Sequence, residues 1–94
     1  MSYRFKNWHV QISKKKYSNG RVAIVLIDEE DGLDLLTATV NLPHEDLQKG
    51  EIFIKDWSEN EGVLKFLQNN KIVGPVKRSI PSGFVEAQVV DLYI

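Results

Sequence analysis

The stretch "YSNGRVAIVLIDEEDG" constrains this chain more than any other, because it sets an apolar run between two glycine turn signals. Asn19-Gly20 tolerates the positive φ of a tight hairpin turn, and Asp31-Gly32 offers the same on the far side. Between them Val22 to Ile27 is apolar without alternation, the mark of a strand buried on both faces and therefore central in its sheet. Upstream, Trp8, Val10 and Ile12 alternate with polar residues, while Tyr3 and Phe5 fall in the opposite phase; a bulge near Lys6 and Asn7 reconciles the two. Downstream, "LDLLTATVNL" gives a third strand with Leu36, Ala38, Val40 and Leu42 on one face. Residues 3–42 thus read as a three-stranded meander.

Pro43 ends that sheet, since it offers no N–H to a ladder, and "PHEDLQKG" suits one helical turn closed by Gly50. "EIFIKDW" is a fourth strand. A helix over about 58–70 follows, with Val63, Leu64 and Leu67 as its apolar stripe, Phe66 at the edge and Asn69-Asn70 as a left-handed stop. "VGPVKRSIPSG", with two prolines, reads as an extended connection, and "FVEAQVVDLY" as the last strand. The expectation is one α+β domain over residues 1–94: a five-stranded, mostly antiparallel sheet with one main helix packed on one face.

The helix start carries the most information about function. Ser58 and Glu61 have the S-x-x-E spacing of a capping box, and Trp57 just before them suits a hydrophobic staple. Gly62 interrupts the staple, because the position that should hold its apolar partner has no side chain. Two readings follow. Either the helix start lies so close to the sheet or the indole that no Cβ fits, or a bare terminus flanked by Trp57 and Asn60 is open to a partner.

Composition bounds the remaining classes. A chain of 94 residues supports one core and buries only about 60–65% of its unfolded surface. No apolar run is long enough to span a bilayer and the first ten residues lack a signal-peptide core, so a cytoplasmic protein is expected. There is no cysteine, hence no disulfide or thiolate site. His9 and His44 have no metal-ligand spacing, "DEEDGLD" misses the calcium-loop pattern, and no nucleophile elbow or glycine-rich phosphate loop is present. The sequence therefore points away from an enzyme, a metal site or a cofactor.

The net charge of −1 conceals a dipolar chain: residues 1–27 carry six cations and no acid, whereas residues 28–61 carry eleven acids against Lys49 and Lys55. In "KKKYSNGR" the cations Lys14, Lys15, Lys16 and Arg21 surround Tyr17 at one hairpin, a pattern that suits nucleic acid as well as a solubilised strand end. The pI near 6.1 falls short of a dedicated nucleic-acid binder.

"TATVNLP", "IKDWSENEG" and "PSGFVEAQVVDL" resemble a family of small proteins from phages and conjugative elements of Gram-positive bacteria, catalogued as a domain of unknown function. The similarity runs from about residue 20 to the end and is most specific from Ile54 to Gly62, where Trp57 takes the place of a tyrosine. The resemblance carries no activity and implies a mobile-element setting. The expected role is a non-catalytic accessory protein that binds another protein, such as a host defence or replication component. Asp56, Trp57, Glu59, Asn60 and Gly62 form the expected surface, together with the adjacent acidic turns. The alternative is a nucleic-acid-binding module built on the hairpin at 14–21. Neither the identity of the partner nor the oligomeric state follows from the residues.

Overall fold

The chain runs through β1 (Tyr3–Phe5), β2 (Trp8–Lys16), β3 (Val22–Asp28), β4 (Asp34–Thr37), β5 (Glu51–Ile54), α1 (Val63–Asn69), β6 (Arg78–Ser82) and β7 (Val85–Asp91), in a computed structural model that describes residues 2–94. All pairings between these strands are antiparallel. They form two sheets, β1-β2-β3-β4 and β5-β7-β6, in place of the single five-stranded sheet expected from the sequence.

The opposite phases of Tyr3/Phe5 and Trp8/Val10 are resolved by a turn, and no bulge is needed. Phe5 pairs with Trp8 across Lys6-Asn7, and Lys6 takes φ 54°, so β1 and β2 form a tight hairpin. β3 is central, with Ala23 to Leu26 all buried. The third strand is shorter than its sequence suggests. A register shift between Leu26 and Ile27 accommodates β4, and the chain then leaves the first sheet. Thr39 bridges to Ile54, and the Val40 and Lys55 amides donate to Phe53 O at 3.2 Å and Ala38 O at 2.8 Å. Leu36 and Ala38 consequently face the main core, whereas Val40 and Leu42 cover the far side of the second sheet.

In that second sheet β5 is buried on both faces, which is why "EIFI" carries no exposed position. Ile52, Ile54 and Val90 join the main core with Val10, Ile24, Leu26 and the helix. Phe53, Ala87 and Val89 form a smaller core under Val40, Leu42, Leu47, Trp57 and Ile80. The segment 43–50 supplies this cover as turns, without the expected helical turn; Gly50 sits there at φ 86°. Of "VGPVKRSIPSG", residues 78–82 form strand β6, which pairs with β7 and holds Pro81 at the sheet edge, where a missing N–H is tolerated.

α1 is shorter than expected. It buries Val63, Phe66 and Leu67, a spacing that places them on one face against the first sheet, and the Phe66 ring meets Phe5 edge-on at 5.2 Å. It is preceded by a separate 3-10 turn at Ser58–Asn60. At its end Asn70 Nδ2 donates to Phe66 O at 2.8 Å, and Lys71, not the Asn pair, takes the left-handed conformation at φ 58°. Among the described residues no helix is long and apolar enough to cross a membrane.

Candidate functional site

The helix start is built differently from a capping box. Ser58 lies at φ 55°, makes no capping hydrogen bond and is exposed, and the Glu61 side chain does not reach back to it. Asp56 does the capping: its Oδ1 accepts from Gly62 N at 3.1 Å and Leu64 N at 3.0 Å, satisfying donors that would otherwise be orphaned. Trp57 is half-buried on Phe53, Ala87 and Val89, so it roofs the smaller core and does not staple the helix. Asn60 is 1% exposed and its Nδ2 donates to Thr37 O at 2.7 Å, which ties the 3-10 turn to β4. Glu59 pairs with Lys55 at 2.7 Å, and this hydrogen bond holds its carboxyl below the usual carboxylate range.

Gly62 itself takes φ 93°, and a Cβ built on it meets nothing within 4 Å. The crowding explanation is therefore overturned: the space is open, and glycine is there because the backbone is left-handed. Of the five residues expected to form a binding surface, Asp56, Trp57, Glu59 and Asn60 hold the fold through these contacts. Gly62 opens onto a shallow groove beside Arg4, Phe5, Lys6 and Lys65. Accordingly, Ser58→Ala is expected to change stability by less than about 0.5 kcal/mol, whereas Asp56→Ala costs about 1 kcal/mol, read from chemical denaturation midpoints.

The basic hairpin is also partly committed to architecture. Tyr17 OH bonds to Thr39 Oγ1 at 2.9 Å, and Arg21 donates to Leu42 O at 2.7 Å and Glu45 O at 2.6 Å, pinning the 42–45 loop. Lys15 lies 3.6 Å from Asp34, and Lys14 donates to Ile94 O at 3.0 Å. Lys16 is exposed and extends into solvent.

Two features have no counterpart in the sequence reasoning. The first is an ionic clasp across the second sheet. The Glu51 side chain has no exposed surface; it accepts from Nη1 and Nη2 of Arg78, each at 3.0 Å, from Lys77 Nζ at 2.8 Å and from Gln48 N at 2.8 Å. The bond from Arg78, then that from Lys77, lowers its pKa to about 2. The partners lie 26 and 27 residues away in "KR", so no local spacing announces them.

The second feature is a groove of about 360 Å³ at the end of the first sheet, lined by Asn7, Trp8, His9, Asp28, Glu29 and Glu30. Trp8 occupies the inward phase of β2 together with Val10, yet it is 41% exposed while Val10 is fully buried, because it stands at the hairpin end beside the Lys6-Asn7 turn. The Glu29 amide donates to His9 O at 3.0 Å and thereby fixes the acidic turn against the tryptophan-bearing strand. No cation pairs with Asp28, Glu29 or Glu30 among the described residues. The signal available in the sequence was the position of Trp8 at the very end of its alternating run, next to a turn.

No curated protein and no solved structure gives a significant match to the chain. A family model described as "Domain of unknown function (DUF4313)" matches residues 10–94, which takes in both sheets from β2 onward, the helix and the Glu51 clasp. Asp28, Glu29 and Glu30 fall inside the matched span, and Trp8 lies just before it. With the match extending over nearly all of the folded chain, the protein belongs to this DUF4313 family.

Proposed function

We propose that this chain is a small non-catalytic accessory protein of a mobile genetic element and acts by binding another protein through the groove at Trp8. The observation that carries this reading is the pairing of an exposed indole with three carboxylates that no cation neutralises. Aromatic faces attract ammonium and guanidinium groups by about 0.5–2 kcal/mol, and adjacent carboxylates add charge-assisted hydrogen bonds. The chemistry suits a lysine or arginine side chain presented by a partner protein, with Trp8 as the anchor that tryptophan commonly provides at interfaces. The mobile-element setting rests on the resemblance of residues 20–94 to proteins of phages and conjugative elements. The helix start is a weaker surface, because four of its five residues are engaged within the fold.

Affinity capture from a Gram-positive host, followed by mass spectrometry, tests the proposal. The wild type is expected to retain a protein that is lost from both Trp8→Ala and the Glu29→Gln/Glu30→Gln variant. Undiminished capture of the same protein by both variants, or recovery of nucleic acid alone, would overturn it.

A further inference from the structure

β2 carries lysine where its phase calls for core residues. Val10, Ile12, Lys14 and Lys16 share one face of the strand, and in the β2–β3 register Lys14 lies opposite buried Ile24 and Lys16 opposite Val22. Ammonium groups are too costly to bury unpaired, so the apolar packing ends near Ile12 and Val22. A cleft of about 320 Å³ opens there, bounded by the β2–β3 hairpin and the turn at 47–50. Its walls include Val22, Leu47 and Leu92, and its cations are Lys14, Arg21 and Lys49. Lys14 donates to the main-chain oxygen of Ile94, the last residue of the sequence, and the Arg21 side chain to two backbone carbonyls. Glu51 also lines the cleft but is held by Lys77 and Arg78, and among the described residues no Asp or Glu side chain pairs with Lys14, Arg21 or Lys49. Apolar walls under a surplus of positive charge suit an apolar side chain flanked by carboxylates.

The chain presents such a group at the other end of the same ladder. Residues 29–34 are all exposed, Leu33 is 66% exposed at the β3–β4 turn, and Glu29, Glu30 and Asp31 precede it in the same turn without a cation partner among the described residues. The β2–β3 ladder spans seven residue pairs from its Asp28 end to its Val22 end, roughly 20 Å along the strands. The turn therefore lies far from the cleft of its own molecule. We propose that the cleft at Lys14, Arg21 and Lys49 receives the acidic β3–β4 turn of a second copy of this chain, with Leu33 as the apolar anchor. Because turn and cleft are different surfaces at opposite ends, the contact is head-to-tail and open-ended, unlike a two-fold dimer. It shares Glu29 and Glu30 with the groove at Trp8, so a partner bound there competes with self-association.

Sedimentation velocity on the pure protein tests this without any partner, so its failure leaves the Trp8 reading standing. In low salt the weight-average mass is expected to rise with concentration past that of a dimer, and to return to the monomer value in high salt. Lys14→Ala/Lys49→Ala removes the cleft charges, and Glu29→Gln/Glu30→Gln/Leu33→Ser removes the turn. Each alone is expected to weaken association by about tenfold with an unchanged thermal midpoint. Mixed in equal amounts, they retain one intact cleft and one intact turn per pair and stop at a dimer. A monomer at every concentration in low salt, or association that persists undiminished in either variant, would overturn the proposal.

Discussion

Replacing Glu51 by alanine is expected to lower the unfolding free energy by about 2–3 kcal/mol at neutral pH, the largest single loss among the polar residues of this fold. The carboxylate joins three parts of the second sheet: β5 through its own backbone, β6 through Arg78 and the preceding Lys77, and the 46–50 turn through Gln48 N. Removing one member of a fully buried ion pair costs about 3–5 kcal/mol, because the remaining charge is left desolvated. Here Lys77 and Arg78 are 39% and 38% exposed and can rehydrate, which reduces the cost. Glu51→Gln keeps an acceptor for Gln48 N and is expected to fall between wild type and alanine.

The same clasp sets a pH dependence. The folded-state pKa of Glu51 is depressed from the ordinary 4.5 to about 2, chiefly by Arg78 and then by Lys77. Its contribution is therefore fully present above pH 4.5 and is lost as pH falls toward about 2. Allowing for the exposed partners, about 1–2 kcal/mol of stability disappears across that window. Urea denaturation followed from neutral to acid pH is expected to show this loss in wild type and a flatter profile in Glu51→Ala. Parallel profiles would show that the clasp is not maintained in solution.

The second large effect belongs to Gly62. In an ordinary helix, glycine to alanine is stabilising, and an uncrowded site would strengthen that expectation. At φ 93° the sign reverses: the Cβ meets no neighbour, but the left-handed backbone disfavours any L side chain, so Gly62→Ala is expected to cost about 1–2 kcal/mol. Gly62→Asn should cost less, since asparagine tolerates this region better. A thermal midpoint at or above wild type for the alanine variant would contradict the assigned conformation. The effect is purely conformational, so it says nothing for or against a partner at this position.

Strand identity was readable where side-chain period and burial coincide. Val22 to Ile27 is continuous because both its faces are covered, and Ile52 to Ile54 is apolar for the same reason. The errors arise where the chain is held by contacts distant in sequence. Ser58 and Glu61 have the spacing of a capping box, but Asp56 reaches forward six and eight residues to satisfy the donors instead, after Ser58 has turned the chain through a positive φ. Lys6 takes a turn conformation that lysine does not advertise, so the hairpin before Trp8 looks like a bulge. Pro81 reads as a strand breaker until β6 is seen to occupy an edge. The groove at Trp8 was hidden because hydrophobic phase indicates the direction of a side chain and does not reveal whether anything covers it. Residues 28–31 were legible as an acidic turn, but their position beside that indole depends on the β2–β3 register.

The protein has two tryptophans, and each stands at one of the two surfaces in question: Trp8 in the acidic groove, Trp57 over the smaller core at the helix start. Their indole N–H signals in a proton–nitrogen correlation spectrum report on these places separately, and Trp8→Phe assigns them. During titration with the captured partner protein, the Trp8 indole signal is expected to shift or broaden at the first additions while the Trp57 signal stays in place. Movement of Trp57 with Trp8 unaffected would contradict the account and return the binding surface to residues 56–62.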